Sequence, residues 1–304
     1  MDSGTIHRRR ALVTGATGFV GSHLVRRLVH DGWDTYVIAR RTSKSFFQAD
    51  GPNLKIEVHD GSSEQVVRMV GEAKPTVVFH LASLFLAEHG PGDVEGLINS
   101  NVLFGTQLVE AMAVSGCRHL INAGTSWQHY GDAVYDPVNL YAATKQAFED
   151  ILMYYVKAYG MRAITLSLFD TYGPNDTRPK LMTLLWKSAL SREPLAMSPG
   201  DQFVDLVYID DVIDAFILAA DLVGKQSEGH SRYGVSSGAP MRLRDLVATF
   251  EKVSGLNVHI TWGAKPYRRR EVMRPWSTYQ LVPGWKPKVL FEQGVRLTQP
   301  PLSA

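Results

Sequence analysis

The chain has 304 residues, 45% of them hydrophobic and 20% charged, ample material for a large core in one α/β domain or two interleaved ones. Its 32 basic and 30 acidic residues leave a formal charge of +2, too near balance for a nucleic-acid-binding surface. One cysteine excludes an internal disulfide, and no stretch approaches the roughly 20 apolar residues that cross a bilayer, so a reducing cytoplasm is the expected location and no membrane partner is expected.

Met1 to Arg10 carries three arginines but no long apolar segment, and reads as a frayed lead-in rather than a secretory signal. The first strand, Ala11 to Thr14, runs into Gly15-Ala16-Thr17-Gly18-Phe19-Val20-Gly21 and a helix over Ser22 to His30. Glycines so placed permit a tight turn, a close approach to a pyrophosphate and close helix–strand packing, with the helix N-terminus facing the phosphates. Gly15, Thr17, Gly18, Phe19, Val20 and Gly21 are therefore the expected dinucleotide contacts. The next strand, Thr35 to Ala39, ends at Arg40-Arg41, where a site preferring NAD would place an acidic residue about 20 positions past the glycines. Arginines there suit a 2′-phosphate, so NADP(H) is the expected cofactor. The competing reading is a solvated basic strand end, with Asp34 or Asp60 serving the ribose.

Further strands are expected at Lys55 to His59, Thr76 to His80, His119 to Asn122 and Ala163 to Leu168. Helices are expected over Ser63 to Ala73, Val102 to Ser115 and Ala142 to Tyr159. This alternation predicts an α/β fold of Rossmann type, a doubly wound parallel sheet covered on both faces. After Gly173-Pro174 the rhythm changes: a helix over Leu181 to Ser191, a strand–helix unit over Leu206 to Leu222, then a stretch punctuated by proline and glycine. Residues 1–169 with 205–236 are assigned to the dinucleotide-binding domain, and 170–204 with 237–304 to a smaller substrate-binding region over the carboxyl ends of the strands.

Tyr141 and Lys145 stand four residues apart and project from one helix face. An ammonium near a phenol favours phenolate, which would lower a pKa of about 10 and make Tyr141 a proton donor and acceptor for a carbonyl and alcohol pair. Lys145 can also bond a nicotinamide ribose. Upstream, Ala123-Gly124-Thr125-Ser126 follows a strand and precedes Tyr130-Gly131. A hydroxyl here can donate to a substrate oxygen as charge develops on it.

Together these segments resemble the extended short-chain dehydrogenases of the NAD-dependent epimerase/dehydratase family. Further matches are Asp170-Thr171-Tyr172-Gly173-Pro174, Val204-Asp205-Leu206-Val207-Tyr208 and Pro283-Gly284-Trp285-Lys286-Pro287. The resemblance implies Ser126 as the catalytic hydroxyl, with Thr125 next in register, beside Tyr141 and Lys145. It implies Asp60-Gly61 at the adenine, Leu81-Ala82-Ser83 along the pyrophosphate and nicotinamide ribose, and a homodimer through the Val102 and Ala142 helices. Dehydratases of this family carry Asp-Glu after the catalytic hydroxyl, but here those positions are Trp127 and Gln128. The closest resemblance is to ketoreductases that reduce C4 of a dTDP- or CDP-linked 4-keto-6-deoxyhexose. Expected substrate contacts are Ser126, Trp127, Asp170 and the phosphate-binding candidates Arg178, Lys180 and Arg268. Val204 stands where relatives carry an arginine, ten histidines show no metal-ligand spacing, and Cys117 reads as structural. The alternatives are a 4-epimerase that retains NAD and a non-catalytic NADP-binding protein.

Overall fold

The structure is a computed structural model that describes residues 9–40, 52–227 and 229–300. It opens with β1 (Arg10–Thr14), α1 (Phe19–His30), β2 (Asp34–Arg40), β3 (Leu54–His59), α2 (Ser63–Ala73) and β4 (Val77–His80). A long helical rod follows, made of α3 (Val94–Ile98), a π turn (Asn99–Leu103) and α4 (Phe104–Val114). Then come β5 (His119–Thr125), α5 (Leu140–Tyr159), β6 (Arg162–Leu168), β7 (Asp170–Tyr172), α6 (Leu181–Ser191), β8 (Leu195–Met197), β9 (Phe203–Val204) and β10 (Leu206–Tyr208). The last elements are α7 (Ile209–Leu222), β11 (His230–Val235), β12 (Met241–Arg242), α8 (Leu243–Ser254), β13 (Ile260–Trp262) and α9 (Phe291–Leu297).

Seven strands pair in the order β11-β6-β5-β4-β1-β2-β3, all parallel. Parallel strands buried on both faces need apolar side chains on both, which is why Leu12 and Val13 are alike fully buried. One core packs Leu24 and Leu28 of α1 and Phe216 of α7 against the sheet and continues to Trp186 and Phe250. The other packs Val70 of α2, Leu108 and Met112 of α4, and Phe148 and Leu152 of α5. The strand order reverses between β1 and β4, so a crevice opens at their carboxyl ends. Three two-stranded pairs, β7 with β10, β9 with β12 and β8 with β13, lie outside the main sheet.

Three helix starts differ from the pattern read in the sequence, the smallest shift being α5, which begins at Leu140 rather than Ala142 because Asn139 is its N-cap. The α1 helix begins at Phe19 rather than Ser22, because Gly18 is already its N-cap. The rod begins at Val94, eight residues before the expected Val102; the π turn interrupts the 3.6-residue rhythm just where that rhythm would have been read. This turn has a use. It carries Asn101 into the interior, where the side chain accepts from Leu84 N at 2.7 Å and donates to Leu84 O at 3.0 Å and to Thr144 Oγ1 at 2.9 Å.

Candidate active site

A cleft of about 860 Å³ lies over the crevice, lined by the glycine turn, by Tyr141 and Lys145, and by Arg268 and Trp276. Gly15 has φ +74°, and a Cβ there would come within 2.5 Å of Leu81 C and Ala82 N. A Cβ on Gly21 would meet Gly15 O at 2.2 Å, so these two glycines are fixed by the close approach of β1, α1 and the strand next door. Gly18, Phe19 and Val20 line the cleft, and Gly18 caps α1 without a side-chain hydrogen bond, which leaves the helix N–H groups for an anion. Thr17 and Ala82 are not part of the lining.

Arg40 ends β2 exposed to solvent beside its register partner His59. Arg41 lies outside the described residues. Asp34 begins β2 opposite Arg10, at the end of the sheet far from the glycine turn, and so cannot serve a ribose there. Asp60 accepts from Ser62 N at 2.8 Å and Ser62 Oγ at 2.7 Å, contacts that hold its carboxyl below the usual range. Gly61, with φ +99°, follows it, and its carbonyl accepts from Gln107.

Leu81 and Ser83 reach the cleft, and two asparagines that pattern reading undervalued fix the segment from Ser83 to Ala87. Asn101 Oδ1 accepts from Ser83 Oγ at 3.1 Å. Asn139 caps α5 by accepting from Ala142 N at 2.9 Å and donates to Leu86 O and Ala87 O at 3.1 and 2.9 Å. The signal for Asn139 was available as an N-cap residue just before the tyrosine helix.

The Ser83 and Thr125 hydroxyls hydrogen-bond the Tyr141 phenol, while Ser126 lines the cleft next to Thr125. Burial pushes Tyr141 up to about 12, outweighing the two hydroxyls, with Asp170 adding to the rise. Lys145 is pushed down to about 8 by burial against the opposing charge of Glu149. Its Nζ is buried without a hydrogen-bond partner. The expectation that Lys145 lowers the tyrosine is therefore reversed in this arrangement, because desolvation dominates both groups. The orphaned Nζ, the bare Gly18 and the uncapped helix head fit a nicotinamide dinucleotide lying from α1 toward Tyr141.

Beyond Tyr141 the wall is aromatic. Phe85 packs edge-on to Tyr141 with centroids 5.0 Å apart and lies 5.6 Å from Trp127. Lys180 Nζ sits 3.9 Å over Phe85 and 3.4 Å from Asp170 Oδ1, and the Arg268 guanidinium sits 5.1 Å over Trp127. Arg268 also forks onto Glu271 at 2.9 and 2.6 Å. Arg178 is more committed: it forks onto Asp176 at 2.7 and 2.8 Å, donates to Thr171 O and covers Phe19 at 4.3 Å. Trp127 faces the cleft, whereas Gln128 is fully buried behind it. Among the described residues no group of three or more His, Cys, Asp and Glu could hold a metal ion, and no helix is long and apolar enough to cross a membrane.

Residues 11–232 match the NAD dependent epimerase/dehydratase family. The chain belongs to that family. Among its relatives, CDP-abequose synthase of Yersinia pseudotuberculosis is 28% identical over 89% of this chain and 93% of that protein. UDP-glucose 4-epimerase of Mycolicibacterium smegmatis is 26% identical over 95% of this chain and 97% of its own length. Among solved structures, a Thermus thermophilus UDP-glucose 4-epimerase complex with NAD superposes with a TM-score of 0.78 at 26% identity, covering 95% of this chain and 97% of that one. A Thermotoga maritima UDP-glucose 4-epimerase with UDP-glucose gives a TM-score of 0.84 at 23% identity over the same shares, a likeness of fold. In this family member the glycine turn, Tyr141, Lys145 and the hydroxyls at the end of β5 meet at one cleft.

Proposed function

We propose that this chain is a nucleotide-sugar-modifying enzyme that uses NADPH to reduce the C4 ketone of a dTDP- or CDP-linked 4-keto-6-deoxyhexose. The observation that carries this reading is the wall next to Tyr141. Trp127 faces the cleft and Gln128 turns away from it, so neither position after Ser126 supplies a proton-exchanging group for removing water. Oxidation or reduction of a carbinol carbon is the chemistry that remains. A reduced nicotinamide held by Gly15, Gly18 and Gly21 would supply the hydride. Tyr141, protonated across the neutral range, gives its proton to the new alkoxide, and Ser126 or Thr125 donates to the carbonyl oxygen.

Arg40 at the end of β2 and the remoteness of Asp34 support NADPH, and a net reductase must exchange its cofactor with a reduced pool. The aromatic wall of Phe85 and Trp127 suits the methyl carbon of a deoxysugar, and Lys180 and Arg268, each lying over one of these rings, are the cations we assign to its diphosphate. Similarity to CDP-abequose synthase supports a CDP-linked sugar. A homodimer through α4 and α5 is part of the proposal, since Val114 and Tyr154 leave apolar surface exposed there.

The second reading, a 4-epimerase that retains NAD, is favoured by the comparable similarity to UDP-glucose 4-epimerase. The deciding experiment is consumption of NADPH and NADH by the purified protein with dTDP-, CDP- and GDP-linked 4-keto-6-deoxyhexoses. Stoichiometric oxidation that prefers NADPH supports the reductase. Interconversion of 4-hydroxy epimers without cofactor consumption, with NAD co-purifying, replaces it by the epimerase.

A further inference from the structure

Behind the cleft wall a polar network joins the elements that carry the reactive groups. Glu149 stands one helical turn past Lys145 on α5 and is 1% exposed. Its Oε2 accepts from Arg232 of β11 at 2.6 and 3.1 Å, and its Oε1 accepts from Gln128 Nε2 at 2.8 Å. Gln128 Nε2 also donates to Gln146 Oε1 at 2.9 Å, and Gln128 Oε1 accepts from Thr125 N at 3.0 Å. A side chain that holds the backbone at the end of β5 is thereby anchored to the helix that carries Tyr141 and Lys145.

We propose that Glu149 and Gln128 are positioning residues for the reaction inferred above: Glu149, one turn from Lys145 on the same face of α5, keeps its ammonium charged, and through Gln128 the same carboxylate fixes the Thr125 backbone beside Tyr141. The other groups that bear on this pair are few. His80 of β4 faces Lys145 but is pushed down to about 3 by burial and stays neutral. His129 and His230, both lowered by burial, face Glu149 together with Arg232. Glu149 is thus the one carboxylate found acting on the Lys145 ammonium among the described residues.

The test follows the side-chain resonance of Lys145 against pH in full-length protein with isotope-labelled lysine, assigned with Lys145→Arg. Glu149→Gln keeps the shape and removes the charge, so the Lys145 midpoint falls by on the order of one pH unit. Glu149→Asp perturbs packing more but keeps the charge, so its midpoint stays near the wild type. Gln128→Met leaves the midpoint in place and lowers kcat by about tenfold, because the tether to Thr125 N is lost with the two bonds to Gln146 and Glu149. An unmoved midpoint in Glu149→Gln, or an equal shift in Glu149→Asp, overturns the proposal. The midpoint is read without cofactor or substrate, so failure of the reductase reading would leave the Glu149 arm of this test standing, and only the Gln128 arm needs turnover.

Discussion

Lys145 Nζ is buried one helical turn from Tyr141, yet burial rather than mutual charge governs both, with the phenol pushed up to about 12 and the amine down to about 8. Such a tyrosine is a proton donor at neutral pH, which suits the reductive direction. Tyr141→Phe is expected to lower kcat by about 10²–10⁴-fold while NADPH still binds. Fluorescence titration of NADPH beside turnover separates the two effects.

The same values set a pH profile. Lys145 carries its proton below about 8 and loses it above. If the ammonium orients the cofactor ribose and favours the developing phenolate, kcat/KM for reduction declines as pH rises through about 8, with no matching limb from Tyr141 until far higher pH. A profile that is flat through pH 8 and 9 would remove Lys145 charge from the mechanism.

In the proposed reaction, cofactor choice is expected to turn on the carboxyl end of β2. Arg40 is exposed there, while the acidic residue of the same strand, Asp34, lies at its other end. Arg40→Asp is expected to weaken NADPH binding by about 10–100-fold, the worth of a charge-assisted hydrogen bond, and to leave NADH binding unchanged or tighter. Equal losses for both cofactors would show that Arg40 does not read a 2′-phosphate.

Six of the seven sheet strands were legible as short apolar runs alternating with amphipathic helices, but the edge strand β11, His230–Val235, is half polar and carries no such run, so it was not read as a strand. Tyr141 and Lys145 were legible for a related reason, since spacing along one helix fixes their relative placement. What the sequence hid depends on contacts between distant segments. Nothing local announces that Asn101 enters the core through a π turn or that Phe85 packs on Tyr141. Nor does spacing weigh desolvation against charge, so the direction of the Tyr141 shift came out opposite to the one read from its neighbour four residues on. Gln128 likewise read only as a missing acid, whereas the fold uses it as a tether.

Trp127 carries Arg268 over its ring and Phe85 tilted against it, so its removal should act on the sugar-nucleotide end of the cleft alone. Trp127→Ala is expected to raise KM for the nucleotide sugar by about tenfold, from lost stacking and a freed Arg268, with little change in NADPH affinity. A fall in kcat at unchanged KM would instead place Trp127 in the chemical step.

Lys145 should also cost the fold stability. Its amine is pushed from 10.5 down to about 8, so between those values the folded protein binds fewer protons than the unfolded chain. Stability then rises with pH across that window, and at neutral pH the full deficit of carrying a buried ammonium is present. Lys145→Met removes the charge and nearly keeps the volume. It should abolish turnover and yet raise Tm at pH 7 by about 2–5 °C, a gain that shrinks as pH is raised through 8 toward 10 because the wild-type lysine becomes neutral on its own. Thermal melts of both proteins across that range check this, and a Tm gain independent of pH would assign the effect to packing rather than to the buried charge.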